Sequence, residues 1–270
     1  MDKITPSMDF KTELAGLFNL VGQVAFLPGG YGGIGEAIAW GLALCGARVM
    51  VVGRDGDKAD SLAKSLRDAG FEAAGGQMDA TSVADIRRSV DQCAAQFGRV
   101  DILMNCVGTQ REEPLLDVTE EAFDNVYEVN LKSAMFLAQA AARHQIAGEK
   151  GGRQVHLLSV RSQLGLRGRG YSAYCATKGG LVTLIRQHAM ELAPHRINVN
   201  GVAPTFVFTE MIRHVMENDE FRQGLLDRIP LGRIADPKDV VGPALFFCAP
   251  ASGFVTGQTL YVDGGITASQ

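Results

Sequence analysis

Short apolar runs alternate with longer amphipathic stretches along nearly the whole chain. The runs that predict buried strands are Gln23–Leu27, Arg48–Val52, Glu72–Met78, Asp101–Cys106, Gln154–Ser159, Arg196–Val202 and Thr259–Val262. Apolar residues at helical spacing predict helices over Glu36–Cys45, Asp55–Ala69, Ser82–Phe97, Thr119–His144, Ser172–Leu192 and Asp236–Cys248. Strands that alternate with helices favour a parallel sheet covered on both faces, because parallel neighbours need a crossover connection. The pattern therefore predicts a doubly wound α/β fold of the Rossmann type.

The chain is predicted to be one domain with a short arm in front of it. Residues 1–20 precede the first strand and are interpreted as an appended arm, helical around Lys11–Leu20. Residues 21–270 contain no linker-like stretch, no low-complexity segment and no internal repeat. They are therefore predicted to form a single Rossmann-type domain.

Composition and charge exclude several classes of protein. The formal net charge of −4 provides no general basic field for binding nucleic acid or an anionic membrane surface. No run of about 18 apolar residues is present to span a bilayer, and the first residues lack the apolar core of a signal peptide. The five cysteines form no CxxC pair and the five histidines no metal-ligand cluster, which predicts reduced thiols, a cytoplasmic protein and no metal.

A glycine-rich loop joins the first predicted strand to the helix that follows it. Its sequence is Pro-Gly-Gly-Tyr-Gly-Gly-Ile-Gly, at positions 28–35. Gly29 permits a tight turn, and Gly33 and Gly35 allow backbone amides to approach a pyrophosphate at a helix N-terminus. Glycine also collects in ordinary turns, but the strand before this loop and the helix after it favour a dinucleotide phosphate site.

Tyr174 and Lys178 are four residues apart on one predicted helix, so they share a face. A free phenol, with a pKa of about 10, exchanges protons poorly at neutral pH. An ammonium group beside it is expected to lower that pKa and make the phenol a general acid or base. The same spacing also occurs on ordinary helices, where a half-buried ring lies beside a solvated charge, so the other motifs must decide between the two.

Four motifs together resemble the short-chain dehydrogenase/reductase family over roughly residues 18–266. They are the glycine loop, the stretch Asn105-Cys-Val-Gly108, the Tyr174/Lys178 pair and the tail Tyr261-Val-Asp-Gly-Gly265. The resemblance implies a seven-stranded Rossmann fold, an NAD(P)(H) cofactor, a small-molecule carbonyl or alcohol substrate, and a homotetramer or homodimer. Two positions depart from the family pattern: Pro28 replaces a threonine and Thr205 a glycine. Proline is expected to loosen one tie to the neighbouring loop, because it has no N–H and no hydroxyl.

The resemblance implies a catalytic set of Asn130, Ser159, Tyr174 and Lys178. Ser159 and Tyr174 would hold the substrate oxygen and Tyr174 would transfer the proton. Lys178 would lower the tyrosine pKa and bind the nicotinamide ribose. Asn130 would hold a water that relays protons to the lysine, and the alternative is a polar side chain satisfied by a nearby carbonyl. Ser162 is the alternative serine; Ser159 is favoured because it ends a predicted strand, where ligands bind in open α/β sheets.

Further residues match the cofactor-binding positions of the family. They are Gly29, Tyr31, Gly32, Gly33, Ile34, Gly35, Arg54, Asp79, Ala80, Asn105, Val107, Gly108, Tyr174, Lys178, Pro204, Val207 and Thr209. An acidic residue at the end of the second strand would bind a ribose 2′-OH and repel a 2′-phosphate, but Gly53 stands there and Arg54 follows. NADP(H) is therefore favoured; the alternatives are NAD(H) and a merely solvated Arg54. Asp79 is interpreted as an adenine neighbour or a helix cap, and Asp55 as the cap of the helix after the second strand.

Several arginines lie in the loops that are expected to border the substrate. They are Arg111, after the fourth strand, and Arg161, Arg167 and Arg169, between the candidate serine and the tyrosine. A cationic mouth suits a carboxylate or a phosphate, and Arg161 and Ser162 are the candidate substrate contacts. The alternative is a solvated basic loop. Residues 208–228 have helical character and are expected to form a substrate lid.

The amino-acid sequence around the candidate site favours one branch of the family. The segments that begin at Ser159 and at Val202 resemble the gluconate 5-dehydrogenase and polyol dehydrogenase branch, which implies a sugar acid or polyol. The rival interpretation is a 3-oxoacyl thioester reductase, since branches of this family change substrate easily. A third hypothesis is a catalytically silent dinucleotide sensor or scaffold, and the complete Ser/Tyr/Lys set argues against it.

Overall fold

One parallel sheet of seven strands forms the centre of the protein. The computed structural model describes residues 8–210 and 217–268, and the strand order is β3-β2-β1-β4-β5-β6-β7. The strands are β1 (Val24–Pro28), β2 (Arg48–Gly53), β3 (Ala73–Gln77), β4 (Ile102–Asn105), β5 (Gly152–Leu157), β6 (Ile197–Pro204) and β7 (Thr259–Val262). The order reverses between β1 and β4, which is where open α/β sheets bind ligands. The prediction of a doubly wound, seven-stranded Rossmann fold is confirmed.

Helices cover both faces of this sheet. They are α1 (Met8–Ala15), α2 (Gly33–Leu44), α3 (Gly56–Asp68), α4 (Val83–Phe97), α5 (Glu120–Tyr127), α6 (Ser133–Ala147), α7 (Ser172–Leu192), α8 (Asp219–Leu226) and α9 (Pro237–Cys248). One apolar cluster packs α2, α3 and α9 against the sheet, and a second packs α4 and α6 on the opposite face. Asp55 caps α3 as expected, because its carboxylate accepts from the Lys58 amide.

The predicted helix Thr119–His144 is wrong in one respect, since the structure interrupts it. Thr119 caps α5 as expected, and its hydroxyl accepts from the Ala122 amide. The segment Glu128–Lys132 then forms a π turn before α6 begins. Insertions of this kind in a helix occur frequently at functional sites, and Asn130 lies at the centre of this one.

The predicted arm and the predicted lid are each described in part. Helix α1 lies in the arm, and residues 1–7 lie outside the described chain. Leu20 is fully buried and its amide donates to the Cys45 carbonyl, which fixes the chain just before β1. Helix α8 lies in the lid segment 208–228, of which 211–216 fall outside the description. Across the two described ranges, no helix combines the length and the apolarity that crossing a bilayer requires.

Candidate active site

A cleft of about 540 Å³ opens at the carboxyl ends of the strands. Its walls come from α7, from the glycine loop and from the segments that follow β4, β5 and β6. The predicted site residues that line it are Ile34, Val107, Gly108, Ser159, Arg161, Tyr174, Lys178, Pro204, Val207 and Thr209. Residues far apart in sequence thus meet at one edge of the sheet, as the carboxyl ends of parallel strands require.

Tyr174 is a half-buried side chain of this cleft. Burial raises the pKa of its phenol to about 12, and a hydrogen bond with Ser159 opposes this rise only in part. The Nζ atom of Lys178 lies over the ring, 5.6 Å from its centroid. In the protein alone, burial outweighs the lowering of this pKa that was expected from Lys178, so the net shift is upward. At neutral pH the phenol carries its proton and can donate it.

Lys178 is buried beside Tyr174 and donates to a backbone carbonyl. Its Nζ donates to the Leu157 carbonyl oxygen at 2.8 Å. Burial lowers the pKa of this ammonium to about 8. A Cβ at Gly108 would lie 3.7 Å from the same Nζ, which is ordinary contact distance, so the loop after β4 lies close to the lysine. The lysine is charged at neutral pH but holds its proton weakly.

The two candidate serines after β5 face different partners. The Oγ of Ser159 accepts from the Arg161 amide at 3.2 Å, and the same hydroxyl is hydrogen-bonded to Tyr174. The Oγ of Ser162 lies 3.0 Å from the Tyr261 hydroxyl, outside the lining of the cleft. Strand β5 ends before Ser159, so the predicted strand runs slightly too far, but the geometry favours Ser159 over Ser162.

Asn130 ties the π turn to two other parts of the site. Its Oδ1 accepts from the Thr109 amide at 2.8 Å, and its Nδ2 donates to the Thr109 carbonyl at 2.9 Å. The same Nδ2 donates to the Thr177 hydroxyl at 3.2 Å, on α7. Both amide protons are engaged, which matches the alternative of a satisfied polar side chain. The contacts hold the loop after β4 against α7, and a water relay from Asn130 stays a prediction.

The glycine loop has the shape of a phosphate cradle. Gly29 has φ +73°, and a Cβ there would meet the Cys106 backbone at 2.7 Å; a Cβ at Gly35 would meet the Gly29 carbonyl oxygen at the same distance. Gly32 caps α2 without a side chain, which leaves the first amides of that helix for a ligand. The Pro28 carbonyl still accepts from the Cys106 amide at 2.9 Å, so the backbone tie to the neighbouring loop is kept. These features fit a dinucleotide pyrophosphate.

A second depression lies beside this cradle at the end of β2. It is lined by Tyr31, Arg54, Asp55, Gly56, Asp57, Lys58 and Gln77. The Tyr31 hydroxyl accepts from the Asp55 amide at 3.0 Å and holds the ring across the floor. Lys58, one of its two cationic side chains, was not among the predicted binding residues, although it stands four residues after Arg54, in the first turn of α3.

Some predicted cofactor residues act on the loops rather than on the cleft. The Oδ1 of Asn105 accepts from the Val107 amide at 3.0 Å, and its Nδ2 lies 3.2 Å from Nδ1 of the buried His156. Asn105 therefore shapes the loop after β4. Asp79 is exposed, and its Oδ1 accepts from the Thr81 amide at 2.9 Å. The cap of α4 is Ser82 instead, so the helix-cap interpretation of Asp79 is wrong.

The predicted set of arginines does not converge on the cleft. Arg161 lines it, while Arg111 and Arg167 are exposed outside it. Arg169 forms an ion pair with Glu112. The expected cationic mouth is wrong as a set, because two of these side chains face solvent and a third has its own carboxylate. One buried guanidinium remains.

The sequence interpretation missed other side chains of the cleft. Tyr171 precedes α7, and its ring centroid lies 6.1 Å from that of Tyr174. Two tyrosines three residues apart at a helix start were the available signal. Gln110 and Phe206 also line the cleft, and nothing in their local sequence distinguishes them. Cys106 lines it too, and burial raises the pKa of this thiol to about 12, so the thiol keeps its proton at neutral pH.

Comparisons with known proteins agree with this site. A family model described as Enoyl-(Acyl carrier protein) reductase matches residues 30–267. Gluconate 5-dehydrogenase of Gluconobacter oxydans (strain 621H) is 36% identical over 253 residues, which cover 94% of this chain and 98% of that protein. L-xylulose reductase of Bos taurus is 38% identical over 250 residues, which cover 93% of this chain and 98% of that protein.

A solved structure is similarly close. It is a gluconate 5-dehydrogenase from Burkholderia cenocepacia J2315 in complex with NADP and tartrate, with a TM-score of 0.91 and 36% identity. The match covers 95% of this chain and 100% of that chain. The chain belongs to the short-chain dehydrogenase/reductase family, as its motifs predicted, and it is an oxidoreductase by that membership.

Proposed function

We propose that the protein catalyses NADP(H)-dependent hydride transfer between the nicotinamide and a secondary alcohol or ketone of a sugar acid or polyol. The convergence of Ser159, Tyr174 and Lys178 on one cleft beside a phosphate cradle carries this assignment. The names of two relatives support the substrate class, since one is named for gluconate, a sugar acid, and another for L-xylulose, a ketose.

The residues of the cleft supply the proton and the electrostatics of the reaction. The dinucleotide, when bound, exchanges a hydride with the substrate carbon. During reduction, Tyr174 donates its proton to the substrate oxygen, and the phenol carries that proton at neutral pH because its pKa is raised. The Ser159 hydroxyl hydrogen-bonds the same oxygen as negative charge develops on it. The Lys178 ammonium stabilises the phenolate that remains, and oxidation reverses each step.

The depression at the end of β2 supports NADP(H) over NAD(H). Arg54 and Lys58 lie where the family binds the adenosine ribose, and Gly53 brings no carboxylate to the end of the strand. Asp55 and Asp57 line the same depression, and Asp55 forms an ion pair with Lys58 at 3.5 Å. A guanidinium and an ammonium favour a 2′-phosphate. The relative from Burkholderia cenocepacia is described with NADP, which agrees with this choice.

The proposal extends to assembly, location and domain organisation. Four large apolar side chains are exposed on neighbouring helices: Phe123 and Tyr127 on α5, Met135 on α6 and Met190 on α7. Apolar side chains on neighbouring helices are typical of a surface that another subunit covers, which supports a homotetramer or homodimer. A cytoplasmic location, and an arm over 1–20 before one catalytic domain over 21–270, complete the proposal.

A substrate panel tests this function. The purified protein is mixed with NADPH or NADH and with 5-keto-D-gluconate, L-xylulose or an acetoacetyl thioester, and the reduced nicotinamide is followed by its absorbance. We expect turnover of the sugar substrates with NADPH. A preference for the thioester would establish the rival 3-oxoacyl reductase. Binding of NADPH without turnover of any carbonyl would support the silent sensor or scaffold.

A further inference from the structure

Arg161 is a buried cation in the wall of the reactive cleft. Its side chain is 9% exposed and lines the same cleft as Ser159 and Tyr174. Burial lowers the pKa of its guanidinium, but arginine keeps its charge in proteins. A buried charge is costly unless hydrogen bonds or an opposite charge compensate it. The groups that compensate the buried charge of Arg161 therefore indicate which ligand the cleft binds.

Inside the protein, neutral backbone carbonyls compensate the charge of Arg161, and they do so only in part. The Nη1 atom donates to the carbonyls of Leu164 at 3.3 Å and Gly165 at 2.6 Å. Within residues 8–210 and 217–268, no Asp or Glu forms an ion pair with it. The titratable groups that influence the guanidinium are Cys175, Arg228, Tyr171 and Tyr174. The anionic partner of this cation is thus missing from the described chain.

Arg161 is held in a fixed relation to the candidate serine. The amide of Arg161 donates to Ser159 Oγ at 3.2 Å, in the short 3₁₀ turn that follows β5. The carbonyl of Leu164, which accepts from the guanidinium, also accepts from Cys175 Sγ on α7 at 3.8 Å. The serine, the guanidinium and the helix that carries the tyrosine are therefore one connected unit. A substrate that touches all three is held in one orientation.

We propose that Arg161 binds the carboxylate of the substrate and so makes the enzyme selective for sugar acids over neutral ketoses and polyols. This inference rests on the proposed function and names the substrate group that the site recognises. Among the described residues, the hydrogen bonds of the Arg161 guanidinium come from Nη1, and the Nη2–Nε edge has the geometry that a carboxylate accepts with two oxygens. A single guanidinium, already bonded on one side, matches a monoanion better than a phosphate dianion.

Matched ligands test the inference without turnover. D-gluconate and D-glucitol differ only in a carboxylate against a hydroxymethyl group, and calorimetry measures the binding of each to the NADPH-loaded enzyme. We expect wild-type protein to bind D-gluconate more tightly. Arg161→Gln should weaken D-gluconate binding roughly 10- to 100-fold, as the loss of a charge-assisted pair implies, and leave D-glucitol and NADPH within about twofold. Arg161→Lys should restore part of the difference.

Turnover gives the second readout. L-sorbose is 5-keto-D-gluconate with a hydroxymethyl group in place of the carboxylate, so the pair isolates the same contact. Arg161→Gln should lower kcat/KM for the keto acid alone, by a factor similar to the loss of binding. Arg167→Gln, a change at an exposed arginine of the same loop, is the matched control and should alter neither substrate.

The outcomes separate this inference from the proposed function. The carboxylate contact would be overturned if Arg161→Gln weakened the binding of D-gluconate and D-glucitol equally, or if it left the selectivity between them unchanged. A larger loss of affinity for a sugar phosphate than for D-gluconate would also overturn it. If wild-type protein reduces L-sorbose but does not prefer D-gluconate to D-glucitol, the contact is wrong and the function stands. If NADPH binds and no sugar substrate turns over, the function fails. Should Arg161→Gln not fold, Arg161→Lys and the wild-type selectivity decide.

Discussion

The ring of Tyr31 fills the space beside Gly53 that an acidic side chain would need. A Cβ built on Gly53 would lie 2.4 Å from the Cε1 atom of that ring, far inside contact distance. The Tyr31 hydroxyl accepts from the Asp55 amide and keeps the ring there. Two residues therefore exclude an acidic side chain at the end of β2: Gly53 has no side chain, and the Tyr31 ring of the glycine loop occupies the space beside it.

This pairing predicts that one substitution will not convert the cofactor preference. Gly53→Asp should displace the Tyr31 ring, destabilise the protein by about 1–3 kcal/mol, as overpacking does, and leave NADH binding weak. The double change Tyr31→Gly with Gly53→Asp should recover stability and bind NADH more tightly than NADPH. Fluorescence titration and urea unfolding measure both effects. A fully stable Gly53→Asp protein that prefers NADH would contradict the steric account.

The two cations of the depression predict a selective effect on NADPH. Arg54→Ala should raise the Kd of NADPH about 10-fold, and adding Lys58→Ala should raise it further, because each removes a charge-assisted contact with a 2′-phosphate. The Kd of NADH should stay unchanged. Lys64→Ala, at an exposed lysine on the same helix, is the control. An equal rise in the Kd of NADPH and of NADH would mean that neither cation contacts the 2′-phosphate.

The pKa of Lys178 predicts how reduction depends on pH. Burial lowers the pKa of this ammonium to about 8, so the group is charged below that pH and loses its proton above it. Tyr174, with a pKa raised to about 12, stays protonated throughout this range. The value of kcat/KM for NADPH, which reports the free enzyme, should therefore fall as pH rises through about 8. A profile that stays flat to pH 10 would show that the charge on Lys178 is not needed.

The same burial predicts that Lys178 lowers the stability of the protein. Removing a charge whose pKa falls from 10.5 to about 8 on folding should raise the free energy of unfolding by roughly 1–3 kcal/mol. Lys178→Met should therefore be more stable than wild type in urea, at equal protein concentration, while losing turnover. Lys11→Met, at an exposed lysine of α1, should leave stability unchanged. A less stable Lys178→Met would indicate that the bond to Leu157 outweighs the burial of the charge.

Sequence alone predicted most of the architecture, because periodicity reports local structure directly. The helix Ser172–Leu192 and the strand Thr259–Val262 have the predicted bounds, and the phosphate loop stands between its predicted strand and helix. Periodicity did not predict the π turn around Asn130, whose side chain bonds Thr109, 21 residues earlier in the chain. Helical spacing likewise placed Lys178 beside Tyr174 but carries no information on the depth of burial that sets their pKa values.

The arginine loop shows a second limit. The partner of Arg169 is Glu112, which stands 57 residues earlier in the chain, so sequence proximity could not reveal that the charge is paired. Arg161 and Ser162 are neighbours in sequence, yet one lines the cleft and the other bonds Tyr261. The 3₁₀ turn after β5 points the two side chains in different directions. No periodic sequence pattern predicts so short an element.

The central claim is that Tyr174 is the proton donor of an NADPH-dependent reductase. The most direct measurement is single-turnover reduction of 5-keto-D-gluconate by Tyr174→Phe loaded with NADPH, beside a fluorescence titration of NADPH. Tyr127→Phe, at an exposed tyrosine on α5, serves as the control with wild-type activity. We expect Tyr174→Phe to bind NADPH with a Kd within about twofold of wild type and to lose at least a factor of about 100 in the rate. A variant that binds NADPH and reduces the substrate at the wild-type rate would contradict the account.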